Sequence, residues 1–430
     1  MNHRLRVPHL LLSAVVVASV LSGCGSDGQA QIDFLVFGEP EELKAFRSVV
    51  AGFAATDPGF GVRLVEAADR QDLLTRVSSS LAGGNPPDLF LVNYRFYGQF
   101  AAKGALQPVD GQLAQPGGLE AADFYPEAME AFRWKGAQLC VPQNVSSLAV
   151  YFNKDAFATA GLPEPSDDWT WDDMVLNARA LTTDTNGDGT VDRYGLGVEP
   201  GIIRLAPLVW SSGGDLVDDL ERPTRFSLDT SAELSAVQDF IDLRARDQVV
   251  PSDVEMEAED LESRFLNGRL AMLMNSRRVV PVLRSIKTFA WDVAPLPGRE
   301  QRVNVLHSDA YCMTAAADHH DEAWRFMEFA LGPEGQRLAA ATGRTVPSLR
   351  EVAESPAFLD PSLPPSRSKV FLDAIPGMRR LPNVSTWPEI EDMADGLLEE
   401  ALFESGGGEA AEFAQTLTTE TEPIFARAER

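Results

Sequence analysis

One short segment has the spacing of a metal loop. Asp184-Thr185-Asn186-Gly187-Asp188-Gly189-Thr190-Val191-Asp192 sets oxygen side chains at loop positions 1, 3, 5 and 9. Gly189 takes position 6, and the Thr190 carbonyl is available at position 7. Alternation turns each oxygen inward and the glycine permits a sharp bend, the donor arrangement a hard cation such as Ca2+ requires. Position 12 is Gly195 rather than glutamate, so a bidentate ligand has to come from elsewhere. The competing reading is a polar Asn-Gly/Asp-Gly hairpin turn. Asp184, Asn186, Asp188, Thr190 and Asp192 are therefore candidate ligands of a structural Ca2+, and no other cofactor is expected.

Catalytic constellations are absent from the sequence. It has 64 acidic residues, so chance carboxylate pairs are inevitable and a two-carboxylate glycan hydrolase carries no weight on that ground alone. There is no nucleophile elbow, no His-Glu-x-x-His and no phosphate-cradling glycine loop. The five histidines are scattered, and His319-His320 beside Asp318 reads as the start of a helix.

The elements that would position a binding site alternate. Residues 32–37 read as a strand, and Pro40 opens a helix with Leu43, Phe46, Val50 and Phe53 at helical spacing and Glu41 and Glu42 near its positive end. Asp57-Pro58-Gly59 turns into a strand at 62–65. A helix over 69–81 follows, then the breaker Gly83-Gly84-Asn85-Pro86-Pro87 and a buried strand at 88–92. This β-α-β-α-β rhythm predicts a largely parallel sheet with helices on both faces, and ligands in such sheets sit at the carboxyl ends of strands. Those ends are Gly38-Glu39 and Asn93-Tyr94-Arg95. Thr170 and Asp173 form a capping box for a later helix, and the chain from Trp387 onward reads as mostly helical with a break at Gly406-Gly407-Gly408.

The chain begins with an export signal: Arg4 and Arg6, then an apolar run over 10–21 that is too short to span a bilayer as a helix. Leu21-Ser22-Gly23-Cys24 follows and resembles the lipobox of bacterial lipoproteins, which implies cleavage after residue 23, acylation of Cys24 and a membrane attachment through lipid alone. Residues 25–31 form a polar tether. The remaining 407 of 430 residues suit two domains. A formal charge of −27 argues against nucleic acid and anionic lipid as partners. With Cys24 acylated, Cys140 and Cys312 remain as either a disulfide or two buried thiols, since sequence does not fix the geometry.

Five segments in order resemble the solute-binding proteins of ABC importers, in the maltose-binding-protein-like, mostly sugar-binding branch. They are Asn85-Pro86-Pro87-Asp88-Leu89; the stretch 148–163 with Trp169-Thr170-Trp171-Asp172-Asp173; the segment 265–275; Trp291 to Pro297; and the helix at 321–330 with Gly332-Pro333-Glu334-Gly335-Gln336. The resemblance implies an α/β fold of two lobes, the class II or Venus-flytrap form, joined by a hinge of crossing strands. Lobe 1 would comprise 32–144 and 307–355, and lobe 2 would comprise 145–306 and 356–430. It also implies a monomer that closes on a small polar solute and is read by the membrane subunits of a permease.

By family position, the polar contacts to solute would be Glu39, Tyr94, Arg95, Asn144, Ser146 and Asp309, with Asp309 alternatively locking the hinge. Trp210 and Trp387 would supply stacking faces for sugar C–H patches, whereas Trp171, Trp291 and Trp324 read as structural. One departure stands out. Where the family often has glycine, proline and a stacking tryptophan after Asn275, this chain has Ser276-Arg277-Arg278. Arg278 can stack or donate in its place, and with Arg95 it turns attention to an acidic or phosphorylated solute.

Overall fold

The structure is a computed structural model that describes residues 30–56, 58–404 and 407–428. Cys24 and nearly all of the tether lie outside the described residues. Two sheets organise the chain. The first has the order β2-β1-β3-β9-β4, from β1 (Gln31–Val36), β2 (Gly61–Glu66), β3 (Leu89–Asn93), β4 (Cys140–Pro142) and β9 (Asp309–Met313). The second has the order β8-β5-β7-β6, from β5 (Leu148–Asn153), β6 (Tyr194–Gly197), β7 (Leu270–Ser276) and β8 (Trp291–Ala294).

Strand alternation explains why the first sheet is buried on both faces. Ile32, Phe34 and Val36 pack with Phe46, Val49 and Phe53 of α1 (Pro40–Ala55), while Leu35 faces the opposite core. Leu89 and Leu91, then Tyr311 and Met313, join the first face; Phe90, Val92, Ala310 and Cys312 join the second. The predicted largely parallel character holds: β1, β2 and β3 pair in parallel, and β4 runs in their direction as well. Strand β9 runs antiparallel to both β3 and β4, because the chain returns from the second sheet in the opposite sense. Trp291 opens β8.

Residues 143–147 lead from β4 into β5, and they lie against the returning segment before β9. Ser146 and His307 exchange backbone hydrogen bonds of 2.7 and 2.8 Å, and the Val145 amide donates to the Val346 carbonyl at 3.0 Å. Cys140 and Cys312 stand opposite one another in β4 and β9 with Cα atoms 4.5 Å apart, and they form a disulfide. The tertiary register thus decides between the two states that composition left open.

Loop 184–192 folds as a closed polar turn. Thr183 and Arg193 bridge its ends, with the Thr183 amide donating to the Arg193 carbonyl at 2.8 Å. The Asp184 carboxylate accepts from the Gly187 and Gly189 amides at 2.7 and 2.8 Å, and Asp188 accepts from Thr190 at 2.7 Å. Asp192 accepts from the Thr185 amide at 2.7 Å. Among the described residues, no three acidic, histidine or cysteine side chains stand close enough to hold a metal ion.

Candidate functional site

The two sheets meet at a cleft, and topology dictates what lines it. The carboxyl ends of β1 and β3 deliver Gly38-Glu39 and Asn93, and antiparallel β9 brings its amino end, Asp309, opposite Asn93. On the other wall, β7 ends at Ser276 opposite Leu148 of β5, so Ser276 and Arg278 stand near Ser146. Chain after β6 contributes Glu199, and α4 (Ile202–Ser211) contributes Arg204. The resulting cavity is about 660 Å3 and its lining is rich in charge, with Arg70, Arg95, Arg204, Arg278 and Arg344 around Glu39, Glu42, Asp69, Glu199 and Asp309. Phe37 is the aromatic residue in that lining.

Several of these charges are held in ion pairs. Arg344 pairs with Glu42, and Arg204 with Glu199. Arg278 pairs with Glu262 and stands 3.9 Å from Glu199. Burial nonetheless raises the Glu42 carboxyl to about 7, against the pull of Arg344. Asp309 accepts from the side-chain amides of Asn93 and Asn144 at 3.1 Å each, while its own amide donates to the Asn144 side-chain oxygen at 2.9 Å. Among the described residues, four buried side-chain atoms of the lining lack a hydrogen-bond partner: the Ser146 hydroxyl, His307 Nε2, Arg204 Nε and Glu42 Oε2, the last of them ion-paired with Arg344. Burial and the positive field of Arg95, Arg204, Arg278 and Arg70 hold the His307 imidazole well below the ordinary histidine range, so the ring is neutral at pH 7. Buried polar atoms left open in this way cost free energy unless something completes them.

A cleft between two α/β lobes, lined from both and carrying open hydrogen-bonding groups, is the geometry of a binding protein. The family model for bacterial extracellular solute-binding proteins matches residues 38–337. The chain belongs to this family. A putative binding protein of Brucella abortus is 21% identical over 375 residues, covering 85% of this chain and 86% of that protein. The maltotriose-binding protein of Pyrococcus abyssi is 25% identical over 328 residues, 74% and 66% of the two chains. Among solved structures, an ABC substrate-binding protein of Listeria monocytogenes in complex with cycloalternan superposes with a TM-score of 0.82 at 22% identity, covering 92% of this chain and 99% of that one. UgpB of Mycobacterium tuberculosis in complex with glycerophosphocholine gives 0.79 at 20% identity, covering 93% and 99%. These likenesses establish the two-lobed fold. Family membership makes this an exported protein, and among the described residues no helix is long and apolar enough to cross a membrane.

Within this solute-binding protein, Glu39, Arg95, Asn144, Ser146, Arg278 and Asp309 come together in the cleft lining. Their roles divide. Asn144 and Asp309 bind each other across the crossing segments. Arg95 lines the cleft, but its guanidinium is paired with Glu391 of α5 (Trp387–Phe403) and reaches Asn93 Oδ1 at 3.2 Å. Both ends of that pair are buried, so it fastens α3 (Tyr94–Ala101) to α5.

Three expected contacts are corrected. Tyr94 is fully buried and accepts from the Leu381 amide at 3.1 Å, because the first residue of α3 turns inward under the β3 end; burial pushes its hydroxyl up to about 12. Trp387 is also fully buried, packed by Phe226 and Phe425, with its indole N–H donating to Glu391 at 2.8 Å. Trp210 lies in the core of an almost wholly apolar helix, with Arg379 stacked on its ring at 4.8 Å. Neither tryptophan offers a face to solute.

The sequence reading missed Arg70, Arg204, His307, Glu199 and Arg344. One of them had a visible signal. Arg204 is the only charge in Ile202-Ile203-Arg204-Leu205-Ala206-Pro207-Leu208-Val209-Trp210-Ser211, and a charge in a segment buried all round needs a reason. The others come from separate loops, and only the fold brings them together.

Proposed function

We propose that this protein captures a carbohydrate or closely related polyhydroxy solute in the interlobe cleft and delivers it to an ABC permease by lobe closure. The observation that carries this is the cavity itself: both lobes contribute polar groups, and Ser146, Arg204 and His307 present atoms with no partner. Solute touching both lobes favours the closed state by its extra affinity for that state, which a permease can then recognise. A relative named as a maltotriose-binding protein, and solved relatives in complex with cycloalternan and with glycerophosphocholine, support a small, polar, hydroxyl-bearing solute. We read the protein as a monomeric binder rather than an enzyme, since the cleft carboxylates other than Glu39 serve arginines, amides or a helix cap. Acylation of Cys24 would keep it near its permease.

Calorimetry of the mature, unacylated protein against neutral sugars, sugar acids and sugar phosphates tests this reading. Stoichiometric binding without turnover is expected. Silence across the panel, or turnover of any saccharide, would overturn it. Loop 184–192 is a separate proposal as a structural Ca2+ site, supported by its alternating oxygens. Those oxygens now hold the loop's own amides, so Ca2+ would have to replace these bonds. An unchanged melting temperature with Ca2+ and with chelator would remove it.

A further inference from the structure

The cleft's open groups differ from what a neutral sugar needs. Four carboxylates in the lining are engaged: Glu42 by Arg344, Glu199 by Arg204, Asp309 by two asparagine amides, and Asp69 by the Asp72 amide it caps at 2.8 Å. Glu39 is exposed. On the positive side, the exposed side chain of Arg70, at the start of α2 (Arg70–Ala82), makes no ion pair or hydrogen bond among the described residues; its guanidinium rests 4.9 Å from the Phe96 ring centroid. Stacking on an aromatic face leaves the guanidinium's in-plane N–H groups free to donate. Arg204 adds an unpaired Nε–H, Ser146 a buried unpaired hydroxyl and His307 an unpaired Nε2. Arg70, Arg95, Arg204 and Arg278 share the cleft lining with His307, and of these four only Arg70 is in no ion pair among the described residues. Aromatic stacking, the usual means of holding a neutral ring, is confined to Phe37.

We propose that the solute is an anionic sugar derivative, a sugar phosphate or sugar acid, whose charged oxygens dock against Arg70 and Arg204 beside Ser146 and His307. This rests on the reading of the cleft as a carbohydrate site. Charge-assisted bonds from two guanidinium groups suit a phosphate or carboxylate equally, so the test carries both. Calorimetry of the mature protein would use glucose 6-phosphate, glucuronic acid, and glucose with maltotriose as neutral probes. One of the two anions is expected to bind at least about tenfold more tightly than the neutral sugars, the preference shrinking as salt rises. Which anion binds identifies the acid group. Arg70→Gln is expected to lower that affinity about tenfold while shifting the melting temperature by no more than about two degrees, since the Arg70 side chain makes no ion pair or hydrogen bond and only stacks on Phe96. A neutral sugar binding as tightly as either anion, or an anion affinity insensitive to Arg70→Gln, would overturn the proposal and leave the carbohydrate reading standing. No heat from any probe would overturn both.

Discussion

The cleft and the aromatic core beneath α5 lie on either side of a single ion pair, and they use their residues in opposite ways. Around Trp387, the indole is enclosed by Phe226 and Phe425, its N–H is satisfied by Glu391, and Glu391 in turn neutralises Arg95. The Trp387 indole N–H, both Glu391 carboxylate oxygens and the Arg95 guanidinium all have internal partners there. Across Arg95, in the cleft, Ser146, Arg204 and His307 keep atoms without one. Internal completion marks a region built for stability, and incompleteness marks a region built for a visitor. Tryptophan content alone does not distinguish them, because the same ring that stacks on a sugar also fills a core.

That contrast can be broken most forcefully at Trp387. Trp387→Ala should cost about 4 kcal/mol in chemical denaturation, from the cavity and the orphaned Glu391 oxygen. A loss of solute affinity with unchanged stability would instead return Trp387 to the binding site. Next, converting Cys140 and Cys312 to serine should lower stability by about 3 kcal/mol without altering solute affinity, since the bridge closes a long loop inside one sheet. A smaller effect is expected at Asp395, which accepts from the Ile202 amide at 2.6 Å and whose carboxyl burial raises to about 6. Its folded value lies above the unfolded one, so its contribution is fully present below about pH 4 and is lost as pH rises through about 6. Asp395→Asn should therefore gain on the order of 2 kcal/mol at pH 7 and flatten the melting profile between pH 4 and 6. The smallest expected change in stability is at Ser146. Ser146→Ala should leave the melting temperature within about a degree, yet weaken solute about fivefold by calorimetry, the worth of one hydrogen bond. Equal effects on stability and affinity would erase the distinction between the two regions.

Much of the fold was legible because its signals are local. The alternation in β1, the proline start of α1, the Thr170/Asp173 capping box and the helix beginning at His320 depend only on neighbours in sequence, and each appears in the structure. The reversed strand of the first sheet was not legible, because β9 inserts between β3 and β4 only after the chain has passed through the second sheet. Glu39, Asn93 and Arg95 were legible as cleft-lining positions from the strand ends, and Asp309 from the family resemblance. The site was misread at Tyr94, Trp210 and Trp387, whose side-chain chemistry fits a sugar site and a core equally well.

The sequence by itself determined the repertoire: the strand and helix order, the family, and the run Ser276-Arg277-Arg278 after Asn275. Only the tertiary structure decided allocation. Whether Cys140 and Cys312 are joined, whether Arg95 holds solute or Glu391, and which arginines remain free all depend on distances between residues far apart in the chain. A periodicity is carried by one segment, but a partner is defined by two, and pairing consumes the charges that composition can only count.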